Sequence, residues 1–91
     1  MMTNVQRREL KAAAQRLDAT VFLGKLGCTP AFLASVEVAL QHRELIKVKF
    51  ACFKDERETL AAEIASKTGS EVVTIVGHVA VLYRKKPEPT T

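Results

Sequence analysis

The sequence predicts an α/β (α+β) fold, a compact α-β-α-β-α-β-β domain whose four-stranded mixed sheet carries packed helices. Three observations predict it. Apolar residues at helical spacing alternate along the chain with short β-rich runs. Thr29-Pro30 opens one helix and Gly69 closes another. The last two β-rich runs are separated only by Gly77-His78, which suits a two-residue hairpin with glycine first. Each β-α-β step favours a right-handed crossover and parallel strands, and the hairpin adds an antiparallel one.

The elements follow in order. Residues 4–17 read as a helix with Leu10, Ala13, Ala14 and Leu17 on one stripe, and residues 20–23 as a short strand. From Pro30 to about His42, Phe32, Leu33, Val36, Ala39 and Leu40 form a broad apolar helical face. Residues 44–53 are the clearest strand. Ile46, Val48 and Phe50 alternate with Lys47 and Lys49, so the apolar set points to a core and the two lysines to water. Asp55 and Glu58 have the form of a capping box for a third helix, which buries Leu60, Ala61, Ile64 and Ala65. Residues 72–76 and 79–84 are the hairpin strands.

Ninety-one residues make one domain, expected over residues 1–86, with a polar, proline-containing flexible tail at 87–91. The apolar fraction of 47% and charged fraction of 26% are those of an ordinary soluble globular protein. No apolar run approaches the roughly 20 residues that cross a bilayer, and the polar N-terminus has no secretory pattern. Cys28 and Cys52 form no Cys-x-x-Cys unit, which fits a reducing, cytoplasmic setting.

The net charge of +4 is gathered into clusters. Arg7, Arg8 and Lys11 lie early, Arg43, Lys47 and Lys49 mid-chain, and Arg84 to Lys86 late, whereas the acidic residues concentrate between Glu37 and Glu71. A fold that brings the basic groups to one face would suit a polyanion. Lys47 and Lys49 are readable either as solubility charges or as a groove floor for phosphates.

The most informative segment is Val21-Phe22-Leu23-Gly24-Lys25-Leu26-Gly27-Cys28-Thr29-Pro30, a strand, a Gly-x-x-Gly loop and a helix start. Its glycines let the main chain approach a ligand closely, Thr29 is a hydroxyl N-cap, the helix N-terminus offers free N–H groups to an anion, and Lys25 adds a charge. Catalytic signals are lacking. His42 reads as a helix-terminal cation and His78 as a turn residue, no nucleophile motif occurs, and the cysteines and histidines lack metal-ligand spacing. Cys28, just before a helix start and beside Lys25, is compatible with a reactive thiolate or with a small residue filling a turn. Cys52 continues the strand alternation and reads as core. Few aromatics are available to stack bases, so nucleic-acid contact would run mainly through backbone and shape.

Four pieces in order resemble a known family: Leu23-Gly24-Lys25-Leu26-Gly27 with Thr29; His42 through Lys49; the Asp55-Glu56-Arg57 helix start; and Gly69 through Val76-Gly77 to Leu82-Tyr83-Arg84. From Arg7 to Arg84 the chain resembles the YhbY-like proteins, single copies of the CRM (chloroplast RNA splicing and ribosome maturation) domain. That resemblance implies a fold similar to the C-terminal domain of translation initiation factor 3 with a KH-like GxxG loop. Bacterial members are linked to precursors of the large ribosomal subunit and plant members to intron splicing. Carried onto this sequence, it implies RNA contact at Gly24, Lys25, Leu26 and Gly27, with Thr29 of the same motif, and support from Lys47, Lys49 and Arg84. Leu26 stands where family loops are commonly more polar, and Leu17-Asp18-Ala19 where Leu-Lys-Pro usually precedes the first strand.

The expected function is therefore non-enzymatic and cofactor-free: binding of ribosomal RNA in large-subunit precursors, with no membrane partner. The alternative is a protein-interaction module that docks on a ribosomal protein or assembly factor.

Overall fold

The structure is a computed structural model that describes residues 3–85; the tail expected at 87–91 lies outside them. Helix α1 (Asn4–Ala14) is followed by strand β1 (Val21–Leu23), helix α2 (Pro30–His42) and strand β2 (Leu45–Phe50). A 3-10 turn (Lys54–Glu56) then leads into helix α3 (Arg57–Thr68), and strands β3 (Glu71–Val76) and β4 (Val79–Tyr83) complete the domain. The four strands lie in the order β1-β2-β4-β3. β1 is parallel to β2, and β4 is antiparallel to both β2 and β3. The hairpin strand β4 therefore inserts between the two strands that α3 connects.

Helices α2 and α3 cover one face of the sheet. Leu23, Ile46, Val48, Phe50 and Leu82 meet Val36, Leu40 and Ile64 there and are almost completely buried. Each such side chain contributes about 1.5–3 kcal/mol on removal from water. Strand alternation sends the intervening residues to the other face, where α1 lies. Ala14 buries there with Val73 and Val81, flanked by Leu10, Leu45 and Tyr83. The register of β3 against β4 shifts between Val72 and Thr74, and there Arg7 of α1 donates to the Val73 carbonyl at 2.8 Å. Arg7, read from the sequence as part of a basic cluster, is thus an α1 anchor.

Several boundaries depart from the sequence reading. α1 ends at Ala14 and continues only as a turn, with Leu17 N–H donating to the Ala14 carbonyl at 3.0 Å. β2 stops at Phe50, three residues short of the expected end. The amides of Ala51 and Cys52 both turn onto the Leu23 carbonyl, and Phe53 enters the left-handed region at φ 59°. Cys52 is consequently outside the strand and only half-buried. The expected capping box is absent. A 3-10 turn takes up Asp55, α3 starts at Arg57, and its N-cap Glu56 makes no side-chain capping bond. α2 keeps the expected bounds, with the Thr29 hydroxyl accepting from Phe32 N–H at 3.0 Å.

Candidate nucleic-acid interface

The Gly-x-x-Gly segment leaves the C-terminal end of β1 as a tight turn. Gly27 N–H donates to the Gly24 carbonyl at 3.1 Å, which places Lys25 and Leu26 at the tip. Gly27 sits at φ +71°, where a side chain is strained, and a second bond from Thr29 N–H to the Gly27 carbonyl at 2.9 Å leads into α2. Beneath the turn lies the ring of Phe53, 3.5 Å from where a Cβ on Gly27 would stand. Lys25 is exposed and Leu26 is 86% exposed.

The donors available to an anion are set by which amides the fold already uses. The start of α2 offers little: Pro30 has no N–H, Phe32 N–H goes to Thr29 Oγ, and Leu33 N–H goes to the Thr29 carbonyl. Among the described residues around the turn, the N–H groups of Gly24, Lys25 and Leu26 in the loop, and of Cys28 and Ala31 at the helix start, have no hydrogen-bond partner. The anion-facing donors therefore belong to the loop tip more than to the helix end, a shift from the sequence reading.

The loop opens onto a cavity of about 360 Å³ lined by Gly24 to Gly27, Thr29, Ala31 and the flank of Phe22, Phe32 and Ser35. A second cavity of about 500 Å³ shares Phe22, Phe32 and Ser35 and runs between β1 and α2 to His42 and Arg43. The two make one groove along the free edge of β1. Among the described residues no carboxylate lines either part.

The sequence matches the CRS1 / YhbY (CRM) domain over residues 2–84. This chain belongs to the CRM family. It is 35% identical over 89 residues to a probable RNA-binding protein of Pseudomonas aeruginosa, covering 97% of this chain and 86% of that one. An RNA-binding protein of Haemophilus influenzae is 38% identical over 88 residues, covering 96% and 89%. The solution structure of the hypothetical protein SAV1595 from Staphylococcus aureus superposes with a TM-score of 0.84 at 32% identity, covering 99% of this chain and 95% of that one.

In this CRM domain the other sequence-named residues do not all join the loop. Lys49 is exposed beside Phe22, its register partner on β1, close to the loop end of the sheet. Lys47 lies on the same face but under α1, half-buried, with Nζ donating to the Leu17 carbonyl at 2.8 Å. The expectation that both lysines point to open water holds for Lys49 alone. Arg84 sits at the far end of the sheet, where its N–H meets the Glu44 carbonyl at 2.9 Å. β2 separates it from the loop by roughly 20 Å. Its guanidinium is already engaged, forked onto Glu37 at 2.7 and 2.8 Å and onto the Thr68 carbonyl at 2.9 Å.

The thiol of Cys28 is half-buried against the core beside Glu63 of α3. Burial pushes its pKa up, the Glu63 carboxylate adds to the rise, and Lys67 opposes it. That environment disfavours a thiolate and reverses the pull expected from Lys25 and the helix start. Among the described residues no group of three His, Cys, Asp or Glu is placed to hold a metal ion, and no helix is long and apolar enough to cross a membrane. Sequence reasoning missed Phe22 and Phe53. Phe22 had a legible signal, since it is the outward residue of an apolar strand next to the loop. Phe53 had none, because a left-handed phenylalanine is written in no local pattern.

Proposed function

We propose that this domain is a non-enzymatic RNA-binding protein that grips the RNA backbone at Gly24-Lys25-Leu26-Gly27 and acts on large-subunit ribosomal RNA precursors. The observation that carries the reading is the loop tip, where the amides of Lys25 and Leu26, unpartnered among the described residues, stand beside the exposed Lys25 ammonium in a groove that no described carboxylate lines. Backbone amides and a lysine recognise phosphate in any sequence and select for shape. The family membership and the RNA-binding names of the relatives support RNA as the partner. The ribosomal assignment rests on the resemblance to YhbY-like proteins. Lys49 extends the basic track on the loop side, whereas Lys47 and Arg84 act in the fold.

Lys25→Ala tests the backbone grip. Removing one phosphate contact weakens all RNA sequences about equally and lowers the slope of log K against log salt by roughly 0.7–0.9. An unchanged slope with unchanged affinity removes Lys25 from the interface. Leu26, 86% exposed at the loop tip, favours a second reading in which the loop docks on a ribosomal protein or assembly factor. Salt-insensitive binding to ribosomal particles would support it, because an apolar contact releases no counterions.

A further inference from the structure

We propose that the RNA held by the loop is single-stranded and lies along the open edge of β1, with one unstacked base against Phe22 and flanking phosphates on Lys25 and Arg43. The inference rests on the RNA-binding reading above and specifies its ligand. β1 is an edge strand. Phe22 points away from the core-facing Val21 and Leu23 and is 59% exposed, a large apolar ring that the fold leaves uncovered. It lines both parts of the groove, the loop cavity and the channel toward Arg43. Val38 of α2, also exposed, continues the apolar wall.

The groove thus has a cation at either end, and the Phe22 ring stands on its β1 rim, turned to the sheet face that carries Lys49. Its length follows α2, whose thirteen residues span about 20 Å between the loop and Arg43. Duplex RNA cannot use such a surface. Its bases are stacked inside, and it offers a protein mainly phosphates and 2′-hydroxyls. A single strand presents a π face and a phosphate at every nucleotide, which is the complement of Phe22 set between Lys25 and Arg43. Lys49, beside Phe22 on β2, adds a further cation at the same edge. One ring of this kind is enough to select unpaired RNA, although the chain lacks the several exposed aromatics of a base-stacking sheet.

The test titrates a labelled oligouridine strand, and the same strand annealed to oligoadenosine, into the wild type, Phe22→Thr and Gly24→Asp. Threonine keeps the β propensity of an exposed strand position. The wild type is expected to prefer the single strand. Phe22→Thr is expected to weaken that binding about tenfold while leaving duplex binding and the salt slope unchanged. Equal affinity of wild type and Phe22→Thr for the single strand overturns the proposal, as does a wild type that binds duplex and single strand equally. If Gly24→Asp still abolishes binding in that case, the loop reading survives and only the edge groove falls. A wild type that binds neither RNA overturns both. Photo-crosslinking of a 4-thiouridine strand to the wild type reads the same point without a variant. An adduct on the peptide containing Phe22 supports the proposal, and adducts confined to α1 or α3 overturn it.

Discussion

The ring of Phe53 lies 3.5 Å from the position a Cβ would take on Gly27, so a residue after β2 forms the floor beneath the Gly-x-x-Gly turn. Phe53 reaches that place only by adopting a left-handed backbone, φ 59°, which costs a residue with a Cβ about 1–2 kcal/mol. Strain of this sort persists where the surroundings hold it. Phe53→Gly relieves the backbone and removes the floor. The two effects oppose each other in stability, so chemical denaturation should place the variant within about 1 kcal/mol of wild type. RNA affinity should nonetheless fall, because the turn above loses its support. Wild-type affinity in Phe53→Gly would show that the turn holds its shape alone.

The two loop glycines differ as sites of substitution. Gly27 needs its positive φ, so Gly27→Asp strains the turn by about 1–2 kcal/mol and confounds binding with stability. The added Cβ itself meets only the Phe53 ring at ordinary contact distance. Gly24 has no left-handed φ, and nothing lies within 4 Å of where its Cβ would stand. Thermal unfolding should therefore show a lowered Tm for Gly27→Asp and a wild-type Tm for Gly24→Asp. Equal losses in both would mean that Gly24 also sits in a demanding conformation.

Arg84 and Glu37 tie the end of β4 to α2, and the pair responds to acid. The hydrogen bond from the Arg84 guanidinium holds the Glu37 carboxyl below its ordinary value. A carboxylate with a depressed folded-state pKa stabilises the fold above its unfolded value, about 4.3, and loses that contribution as pH falls through the folded value. Glu37→Gln should be less stable than wild type at neutral pH, and the gap should close as pH drops below about 4. Urea unfolding across pH 3 to 7 measures it. A gap that stays constant with pH would show that the pair acts by packing and not by charge.

Cys28 should react slowly. Burial and the neighbouring Glu63 carboxylate raise its thiol pKa, which keeps the thiolate scarce at neutral pH. Alkylation by iodoacetamide at pH 7 should be slower at Cys28 than at an unhindered cysteine, and Glu63→Gln should speed it. Rapid alkylation of the folded wild type would revive a thiol-based role.

How much the sequence reveals depends on where each signal is encoded. α2 is legible to the residue because Thr29 and Pro30 carry its start locally, and the hairpin is legible because Gly77-His78 suits only a short turn. β2 reads three residues too long because Cys52 continues its alternation. The chain actually leaves the sheet to place Phe53, a tertiary demand with no local mark. Asp55 and Glu58 resemble a capping box, yet the 3-10 turn takes up Asp55 first. At the interface, the loop is visible as two glycines around a lysine. The fates of Lys47 and Arg84 are not, since the Leu17 carbonyl and Glu37 that engage them lie 30 and 47 residues away in sequence.

The central claim is that RNA phosphate meets the loop tip, and Gly24→Asp tests it most directly, because it adds a negative charge there at a site with open space. The measurement is fluorescence anisotropy of large-subunit rRNA fragments with wild type and Gly24→Asp across a salt series, with the Tm of each recorded. The account predicts wild-type binding that weakens steeply with salt and a folded variant that binds at least about tenfold more weakly at low salt. A folded Gly24→Asp protein with wild-type affinity would contradict it and place the contact elsewhere.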